Sequence, residues 1–577
     1  MRQIQKGTLI KIIFQFFLIS NSLVSISQDN LDKIFLPPDP PVQEEILINT
    51  DRFLYTTNET VKISAAYRVS PELGDISWSK VLYVELIDAG GTPFHQSKHP
   101  ITGDFISLEI PLPGAIESGN YYLKAYTRWM RNFPTRFYGY KMIKIVNPNI
   151  SENVISNLGL TKHDSLKKPV FLTAAKFSEI EINTDNKHYK PRDSVNVSVN
   201  LSNSPFKFSH FTISVAKKGA MNNELQKALL FSRDEESYFL KYLPEIYGNT
   251  ISGTVNDPKN ESAIEGADVS LAIIADTGFF AQTNSLADGS FYFSVPDYTG
   301  TVSISLQAKK DTIGLSVNTH DQFCSKKVFL DAVPFALSEN EKNLAKEILI
   351  NSQLNQKYYS PKQDENSENG GYLSFYGIPD VTYLTEDYIE IPALDEFFFE
   401  IIPEVSIVNQ KGKMNLFLAE NNTFQMYPLL LMIDHTPVGS VQKFLNIRTL
   451  NIEKIEIIKH AYYVGNSSYS GIVHVFSKRG NRAGLPLPSN SYISEVEAFY
   501  PKNGSNQPVI EEVDKSRIAD RRTTLFWEPN TQLGKHSTNM NFSFKTSDVT
   551  GEFEIKICGW IDNKPVCESK SIRVSKK

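Results

Sequence analysis

The sequence is short of the residues and patterns that mark most enzymes. Its 577 residues contain three cysteines and ten scattered histidines. It has no Gly-x-Ser-x-Gly turn for a nucleophile and no glycine-rich loop that would cradle a phosphate. His95 and His99 lie four residues apart, but on a segment predicted to be strand and turn, where that spacing does not build a metal-binding face. We therefore predict no catalytic residue, no metal site and no cofactor.

Strong charge of either sign is also lacking. Lys and Arg number 59 against 65 Asp and Glu, a net charge of −6, and there is no long basic run. This composition argues against a nucleic-acid partner. Helical periodicity is scarce, whereas Tyr (26) and Phe (36) are abundant. A chain of this length exceeds a single core, so we predict a mostly β protein with several domains.

The N-terminus has the pattern of a secretory signal peptide. Basic residues precede an apolar run at 12–19, and Ser25 and Ser27 provide the small side chains that a cleavage site requires. The alternative, a membrane anchor, fits less well because polar residues interrupt the short run. No later stretch predicts a membrane span. We expect a signal peptide at 1–27, an exported mature protein and a proline-rich linker at 28–45.

Residues 46–148 are predicted to form a β-sandwich, from alternating strands and intervening turns. They carry T-D-R-x-x-Y-x-x-x-E-x-V from Thr50 to Val61 and S-G-x-Y-x-L-x-A-Y-T from Ser118 to Thr127. These motifs resemble the MG2 domain of the α2-macroglobulin family. Just beyond them, Trp129 and Arg131 are candidates for a partner contact, since aromatic and Arg side chains are enriched at interfaces. The alternative is that they pack on the sandwich.

The beginning of this sandwich is repeated further along the chain. Ile182-Asn183-Thr184-Asp185 matches residues 48–51, and Tyr189 matches Tyr55, at a constant offset of 134. An ordered repeat predicts a second sandwich of the same type at 149–245. Residues 490–577 resemble a further macroglobulin-type module and are predicted to form a C-terminal macroglobulin/Ig-like sandwich.

Residues 246–332 show a second resemblance. Three segments carry it, at 251–255, 264–271 and 287–293, and the last includes an Asp-Gly turn that leads into a strand. They are similar to the carboxypeptidase regulatory-like domain, which implies a transthyretin-type β-sandwich of seven strands without catalysis. Residues 333–426 are predicted to be a connector with helices. One of them begins at a capping box formed by Ser338 and Glu341.

Residues 427–484 predict a small α/β domain. They carry P-L-L-L-M-I-D-x-x-P-V from Pro428, I-E-K-I-E-I-I-K from Ile452 and G-I-V-x-V-x-x-K-x-G from Gly471. This order resembles the plug domain of TonB-dependent outer-membrane receptors, where the plug sits inside a barrel of some twenty strands. The 97 residues that follow Gly480 (577 − 480) are too few for such a barrel. The resemblance therefore implies a plug-like domain without its own barrel.

The loop before the last of these motifs is a candidate partner contact. Its polar, flexible composition suits a binding loop. The alternative is a loop that simply joins two strands. The candidate residues are Asn466, Ser467, Ser468, Tyr469 and Ser470.

Two of the three cysteines are predicted to form a disulfide. If Asp562-Asn563 is the turn of a hairpin, Cys558 faces Cys567, because both pairs of positions sum to 1125. A disulfide would agree with export, and two buried free thiols are the alternative. The macroglobulins that trap proteases use a Cys-Gly-Glu-Gln thioester. Cys558-Gly559-Trp560-Ile561 is not that motif, so the resemblance does not imply protease trapping.

These features together predict an exported, non-enzymatic protein, associated with the outer membrane at its periplasmic face or at the cell surface. We expect a scaffold or accessory subunit of a transport or secretion complex. It would associate peripherally and dock through the plug-like domain on an outer-membrane β-barrel protein or envelope complex. The alternative is a cell-surface or periplasmic binding protein for carbohydrate or peptide ligands.

Overall fold

The computed structural model describes twenty stretches of the chain. They comprise residues 42–70, 78–149, 168–174, 176, 180–201, 209–222, 224–227, 240–275, 277–311, 313–328, 330–358, 374–389, 391–410, 412–419, 427–480, 482–487, 490–501, 519–531, 539–561 and 564–576. The predicted signal peptide, most of the linker and the Asp562-Asn563 turn lie outside these residues.

The chain divides into two compact units. We call one the frame unit (Pro37–Gly248, Phe323–Ser367 and Phe499–Lys577) and the other the insert unit (Asn249–Gln322 and Glu368–Ala498). Both are built mainly from strands. The prediction of a mostly β, multidomain chain is therefore confirmed.

The strands before the insert unit belong to the frame unit: β1 Gln43–Thr50, β2 Leu54–Thr56, β3 Thr60–Ser70, β4 Val81–Ile87, β5 Pro93–Pro100, β6 Phe105–Pro111, β7 Gly119–Tyr126, β8 Gly139–Val146, β9 Phe171–Thr173, β10 Ile180–Thr184, β11 His188–Tyr189, β12 Ser194–Leu201, β13 Ser209–Lys217 and β14 Glu224–Gln226. The later elements are β15 Thr250–Asn256, β16 Asp268–Ile274, β17 Phe279–Asn284, β18 Ser290–Ser294, β19 Thr301–Lys310, β20 Ile313–Thr319, α1 Glu339–Tyr358, β21 Val381–Leu384, α2 Leu394–Ile401, β22 Val405–Gln410, β23 Lys413–Leu418, β24 Leu430–Ile433, β25 Thr436–Pro437, α3 Val441–Leu445, β26 Ile452–Ile458, β27 Tyr462–Val464, β28 Ser467–Tyr469, β29 Ile472–Ser477, β30 Tyr492–Glu497, β31 Thr524–Thr531, β32 Asn539–Lys545, β33 Gly551–Ile561 and β34 Lys564–Val574.

The first sandwich of the frame unit packs sheet β1-β3-β6 against sheet β2-β8-β7-β4-β5. The spacing within its first motif has a direct structural cause, because the motif ties the end of β1 to the following turn. The Tyr55 hydroxyl donates to Asp51 Oδ1 (2.8 Å), and Arg52 Nη2 donates to Glu59 (2.9 Å). At the offset of 134, the Tyr189 hydroxyl again donates to Asp185. The repeat found in the sequence thus reproduces a hydrogen bond as well as a pattern.

The second sandwich corrects the predicted domain boundaries. Its sheets are β10-β12-β32 and β11-β34-β33-β13-β31, and one core joins residues of both chain segments. Residues 149–245 and 490–577 therefore do not form separate sandwiches. The first segment supplies β10 to β13 and the second supplies β31 to β34. Neither set is a closed sandwich alone, since β12 pairs with β32 and β13 lies between β31 and β33.

The two sandwiches of the frame unit meet face to face. Leu47, Ala66 and Phe105, on the outer face of the first sandwich, pack on Trp560 and the cysteines of β33 and β34. Ser214 Oγ donates to the Asp51 carbonyl (2.6 Å) at this junction. Helix α1 begins at the predicted capping box, where Ser338 N donates to Glu341 (2.8 Å).

The insert unit contains a seven-stranded sheet and an α/β module. In the sheet the order is β17-β16-β19-β20-β15-β18, with β30 paired to β19. The predicted boundary at 490 is thus wrong for β30, whose strand extends this sheet. The α/β module (residues 374–485) contains the sheet β21-β26-β29-β24-β25, helices α2 and α3, and the hairpins β22–β23 and β27–β28.

At strands β24 and β29 both faces of the α/β module's sheet are buried, which explains their continuous apolar runs. On β24, Leu431 and Ile433 pack with helices α2 and α3. The alternate residues Leu430 and Met432 pack against Ala272 of β16 and its neighbours in the seven-stranded sheet. Alternation along each strand thus divides the side chains between the two layers.

Candidate docking surface

The predicted contact loop is already engaged within the chain. Gly465 begins the tight turn between β27 and β28 at a φ of 55°, against the backbone of β17. Asn466 Nδ2 donates to Asn284 Oδ1 (2.6 Å), and the Tyr469 hydroxyl donates to Gln282 (2.9 Å). Ser470 is buried. Asn466 and Tyr469 therefore contact the seven-stranded sheet, and Asn466 is also exposed to solvent. Ser470 N donates to the Pro428 carbonyl (3.0 Å) within the α/β module, and Ser467 and Ser468 are part-exposed with no contact to the sheet described.

A histidine turn anchors the same side of the α/β module. Asp434 and His435 both have positive φ, at 44° and 64°, as a two-residue turn between β24 and β25 requires. The turn places the His435 ring over Gly278, where a Cβ would lie 1.8 Å from His435 Cγ. Burial lowers the pKa of His435. A neutral imidazole thus fits into a notch that glycine leaves open.

A buried series of side-chain hydrogen bonds continues from this turn into the module. His435 N donates to His474 Nε2 (2.9 Å), and His474 Nδ1 contacts the Tyr376 hydroxyl (2.8 Å). That hydroxyl donates to Glu456 (2.5 Å). Burial holds the pKa of His474 well below its usual range, so the ring is a neutral imidazole. Its Nε2 accepts from His435 N, which leaves the proton on Nδ1 to be donated to the Tyr376 hydroxyl oxygen. These hydrogen bonds join two strands, β26 and β29, to two turns of the module, which is a structural role.

Trp129 and Arg131 are interior residues, so their prediction as a contact surface is wrong. Trp129 Nε1 donates to the Val42 carbonyl (2.9 Å), and its ring packs on Trp78 and Phe133. The Arg131 guanidinium lies 4.2 Å from the centre of the Tyr242 ring. Both side chains are buried. The alternative weighed from the sequence, packing at the end of the sandwich, describes their place in the fold.

The two paired cysteines face each other where the hairpin arithmetic places them. Strand β33 pairs with β34 so that Cys558 opposes Cys567, with 4.2 Å between their Cα atoms, and the structure has a disulfide between them. Both residues are buried at the junction of the two sandwiches. The third cysteine, Cys324, is a buried free thiol in the core of the first sandwich.

The strongest candidate for a docking surface is a different part of the α/β module. Four apolar side chains there are exposed: Ile389 by 82%, Leu450 by 60%, Leu384 by 39% and Tyr388 by 38%. Clusters of exposed apolar residues on a folded domain mark interaction sites. We call these four residues the docking edge.

Hydrogen bonds bring the parts of the docking edge together. The segment after β21 is tied at one end by Thr385 Oγ1, which donates to the Ile452 carbonyl (2.6 Å). At the other end Thr449 N donates to the Pro392 carbonyl (3.3 Å). Leu450 lies between these two anchor points, and so does the segment that carries Tyr388 and Ile389.

The chain segment that carries Leu384, Tyr388 and Ile389 is acidic in sequence. Residues 363–410 contain eleven Asp or Glu and no Lys, Arg or His. Among them, Glu386 and Asp387 are exposed in the turn that directly follows β21. These two carboxylates place negative charge next to the exposed apolar side chains of Leu384, Tyr388 and Ile389.

The sequence carried a signal for this surface that the motif analysis missed. The net charge of −6 hides a 48-residue stretch in which every charged side chain is negative. A sliding charge count would have found that stretch. The exposure of Ile389 and Leu450 had no such signal, because apolar residues in a strand-rich segment are ordinarily assigned to the core.

Comparisons with known proteins give only distant likenesses. No family model matches the chain, and a search of curated proteins found no match. Similar solved structures include Escherichia coli alpha-2-macroglobulin activated by porcine elastase, at 9% identity and a TM-score of 0.23, covering 92% of this chain and 44% of that one. Salmonella alpha-2-macroglobulin reacted with methylamine follows at 10% identity and a TM-score of 0.21, covering 92% and 39%.

A tetra-tandem repeat from the extending region of a large adhesion protein is also similar, at 10% identity and a TM-score of 0.13, covering 93% of this chain and 100% of that one. The chain spans less than half the length of the two alpha-2-macroglobulins. At TM-scores this low, the likenesses carry no argument about function. In the described part of the chain, no helix combines the length and the apolar character needed to cross a membrane.

Proposed function

We propose that the protein is a non-enzymatic envelope scaffold or accessory subunit that docks on a partner through its α/β module. The observation that carries this proposal is the docking edge, because its four exposed apolar side chains gain free energy when a partner removes them from water. The plug-like sequence of the same module favours an outer-membrane β-barrel protein, in a transport or secretion complex, as the partner. The signal-peptide pattern supports export to the envelope, with peripheral association at the periplasmic face or cell surface.

The way the module is held supports the same proposal. Its loop at 465–470 and its His435 turn are occupied by the seven-stranded sheet. The docking edge is built from other elements, namely β21, the turn after it and the turn at Thr449–Asn451. A partner can therefore bind there without displacing the contacts that hold the module in place.

A pull-down from native membranes in mild detergent tests the proposal. We expect a stoichiometric outer-membrane barrel protein with the tagged natural chain, and its loss with the double variant Ile389→Asp/Leu450→Asp. The matched control is Ile313→Asp, which places the same charge at another exposed apolar residue of the insert unit. A protein that is recovered alone, or a barrel that is retained equally by all variants, contradicts the proposal.

A second function, binding of carbohydrate or peptide ligands, is favoured by one other surface. The outer face of sheet β10-β12-β32 lines an open groove of about 520 Å³. A row of small polar side chains crosses it through paired positions Asn183, Ser198 and Asn541. Amide and hydroxyl groups of this kind suit a hydroxylated ligand.

The internal repeat allows the outer face that lines this groove to be compared with the equivalent face of the first sandwich. In the first sandwich the equivalent outer face carries Leu47 and Ala66 and is buried against the second sandwich. At the offset of 134 these positions become Glu181 and Asn200. The second face is therefore suited to water or to a polar ligand. Binding of a soluble glycan that is lost with Asn183→Ala, with no membrane partner recovered, would favour this function over docking.

A further inference from the structure

We infer that the docking edge takes an extended, basic segment of its partner as an additional strand alongside β21. This inference rests on the proposed function and names the chemistry of the occupant. Strand addition to an open sheet edge is a recurring mode of peptide recognition, in which backbone hydrogen bonds supply affinity and side-chain contacts supply specificity. Three observations lead to it: the position of β21, the direction of its backbone groups and the charge around it.

Strand β21 is at the end of its sheet. In the order β21-β26-β29-β24-β25 it pairs with β26, and no other described strand pairs with it. The side chains of Thr382 and Leu384 are exposed on one face of this strand. An unpaired edge is a template for another strand unless a protein covers or disrupts it.

The hydrogen bonds of the sheet establish which backbone groups point outward. On the β24 side of β29, Leu430 N donates to the Gly471 carbonyl and Asp434 N donates to the Val475 carbonyl, both at 3.0 Å. Successive residues in a strand point their backbone groups to opposite neighbours. The backbone N–H and C=O groups of His474 therefore point to β26, and those of its partner Glu456 point back to β29.

The same alternation then applies to β26 and β21. The backbone groups of Ile457 point to β21, and its carbonyl accepts a hydrogen bond of 3.0 Å from Asp380 N. The backbone groups of its partner Val381, and those of Tyr383 two residues later, accordingly point to β26. The N–H and C=O groups of Thr382 and Leu384 are left pointing away from the sheet. These groups are the ones that a partner strand would bind.

Charge and apolar surface specify the occupant. Glu386 and Asp387 follow β21 directly and attract Lys or Arg side chains, while Leu384 and Ile389 offer apolar contact. A partner strand with alternating basic and apolar residues would meet both. Complementary charge raises the rate of association and excludes acidic partners. It also makes the affinity fall as salt is added.

A single substitution distinguishes strand addition from binding by electrostatic attraction alone. Thr382→Pro removes an outward N–H group, and proline is tolerated on an edge strand where its N–H would face solvent. The pairing of β21 with β26 uses the alternate residues, so the fold should persist. Thr382→Ala keeps the N–H group and is the matched control.

The probe is a fluorescein-labelled octapeptide of alternating Lys and Val, added to the full exported chain. We expect saturable binding by fluorescence anisotropy, with slower hydrogen exchange of the β21 amides. Thr382→Pro should weaken binding at least tenfold and Thr382→Ala less than twofold. The pair Glu386→Gln/Asp387→Asn should weaken binding several-fold and flatten its salt dependence. A Glu–Val octapeptide should not bind.

Several results would overturn the inference. One is equal binding to the Pro and Ala variants, and another is equal binding of a Lys–Pro octapeptide that cannot form a strand. A third is the absence of peptide binding with β21 amides already protected, which would mean that part of the chain itself occupies the edge. If the peptide fails but Ile389→Asp/Leu450→Asp still loses the membrane partner, the proposed function stands and only the strand is rejected. If both fail, both are rejected.

Discussion

At the scale of single residues, a buried carboxyl group makes the stability of the frame unit depend on pH. Glu44 lies in β1, where it accepts hydrogen bonds from Tyr67 and Thr127. Burial raises its pKa to about 7, and the nearby Glu245 carboxylate acts in the same direction, although the two hydrogen bonds oppose the shift. The protonated form is thus favoured in the folded chain.

The sign of the effect follows from linkage. A carboxyl group with a raised pKa in the folded state contributes stability that is fully present below its unfolded pKa and lost as the pH rises through its folded pKa. With an ordinary value of 4.5 and a folded value of about 7, the free energy of unfolding should fall by about 3 kcal/mol over this window. Glu44→Gln should remove most of that slope.

Urea unfolding at several pH values from 4.5 to 8 measures this prediction. All four tryptophans belong to the frame unit, so their fluorescence follows that unit. The exposed Glu181→Gln is the control and should retain the slope of the natural chain. A slope that survives in Glu44→Gln would assign the pH dependence to another group.

At the scale of elements, the second sandwich depends on strands that are far apart in the sequence. Val197 of β12 opposes Phe542 of β32, and Ile213 of β13 opposes Ile557 of β33. Their side chains share one core. The strands after the insert unit therefore complete a fold that the strands before it begin.

A chain that ends at residue 501 tests this dependence. It loses β31 to β34 but keeps Phe499, which packs in the core of the first sandwich. We expect residues 180–217 to become sensitive to trypsin, whereas residues 43–146 stay resistant as an internal control. Resistance of both segments, measured by mass spectrometry of the fragments, would mean that β10 to β13 fold without the later strands.

Local features of this fold were accessible from the sequence, and long-range ones were not. The capping box at Ser338 was predicted where it occurs, because its signal lies within a few residues. The hairpin register of Cys558 followed from turn arithmetic. The pairing of β12 with β32 leaves no local signal, and any alternating strand could fill that position. The contact of Asn466 with Asn284 escaped prediction for the same reason.

The candidate site shows the same limit. Its acidic composition could be counted from the sequence, but its exposure could not. Leu450 becomes part of the docking edge only because bonds from Thr449 and Thr385 bring two turns together. The direction of the Thr382 backbone depends on the order of five strands. Such properties arise from topology rather than from residue type.

At the scale of the whole molecule, the two units are interleaved along the chain. After β20 the chain leaves the insert unit, contributes residues 323–358 to the frame unit, and returns. Cys324, Val328 and Leu330 lie in the core of the first sandwich. On helix α1, Leu344 and Ile348 pack with Leu54 and Ala216. This returning segment is therefore a structural part of the frame unit.

Two deletions of different extent test that role. One removes 249–498 entirely, and the other removes 249–322 and 368–498 but keeps 323–367 between flexible linkers. Each buried aliphatic side chain contributes about 1.5–3 kcal/mol, so losing the returning segment should lower the thermal midpoint of the frame unit strongly. The second deletion should leave that midpoint within a few degrees of the natural chain, because it keeps the same core. Tryptophan fluorescence measures the thermal midpoints. Equal midpoints for the two deletions would mean that the segment only connects the units.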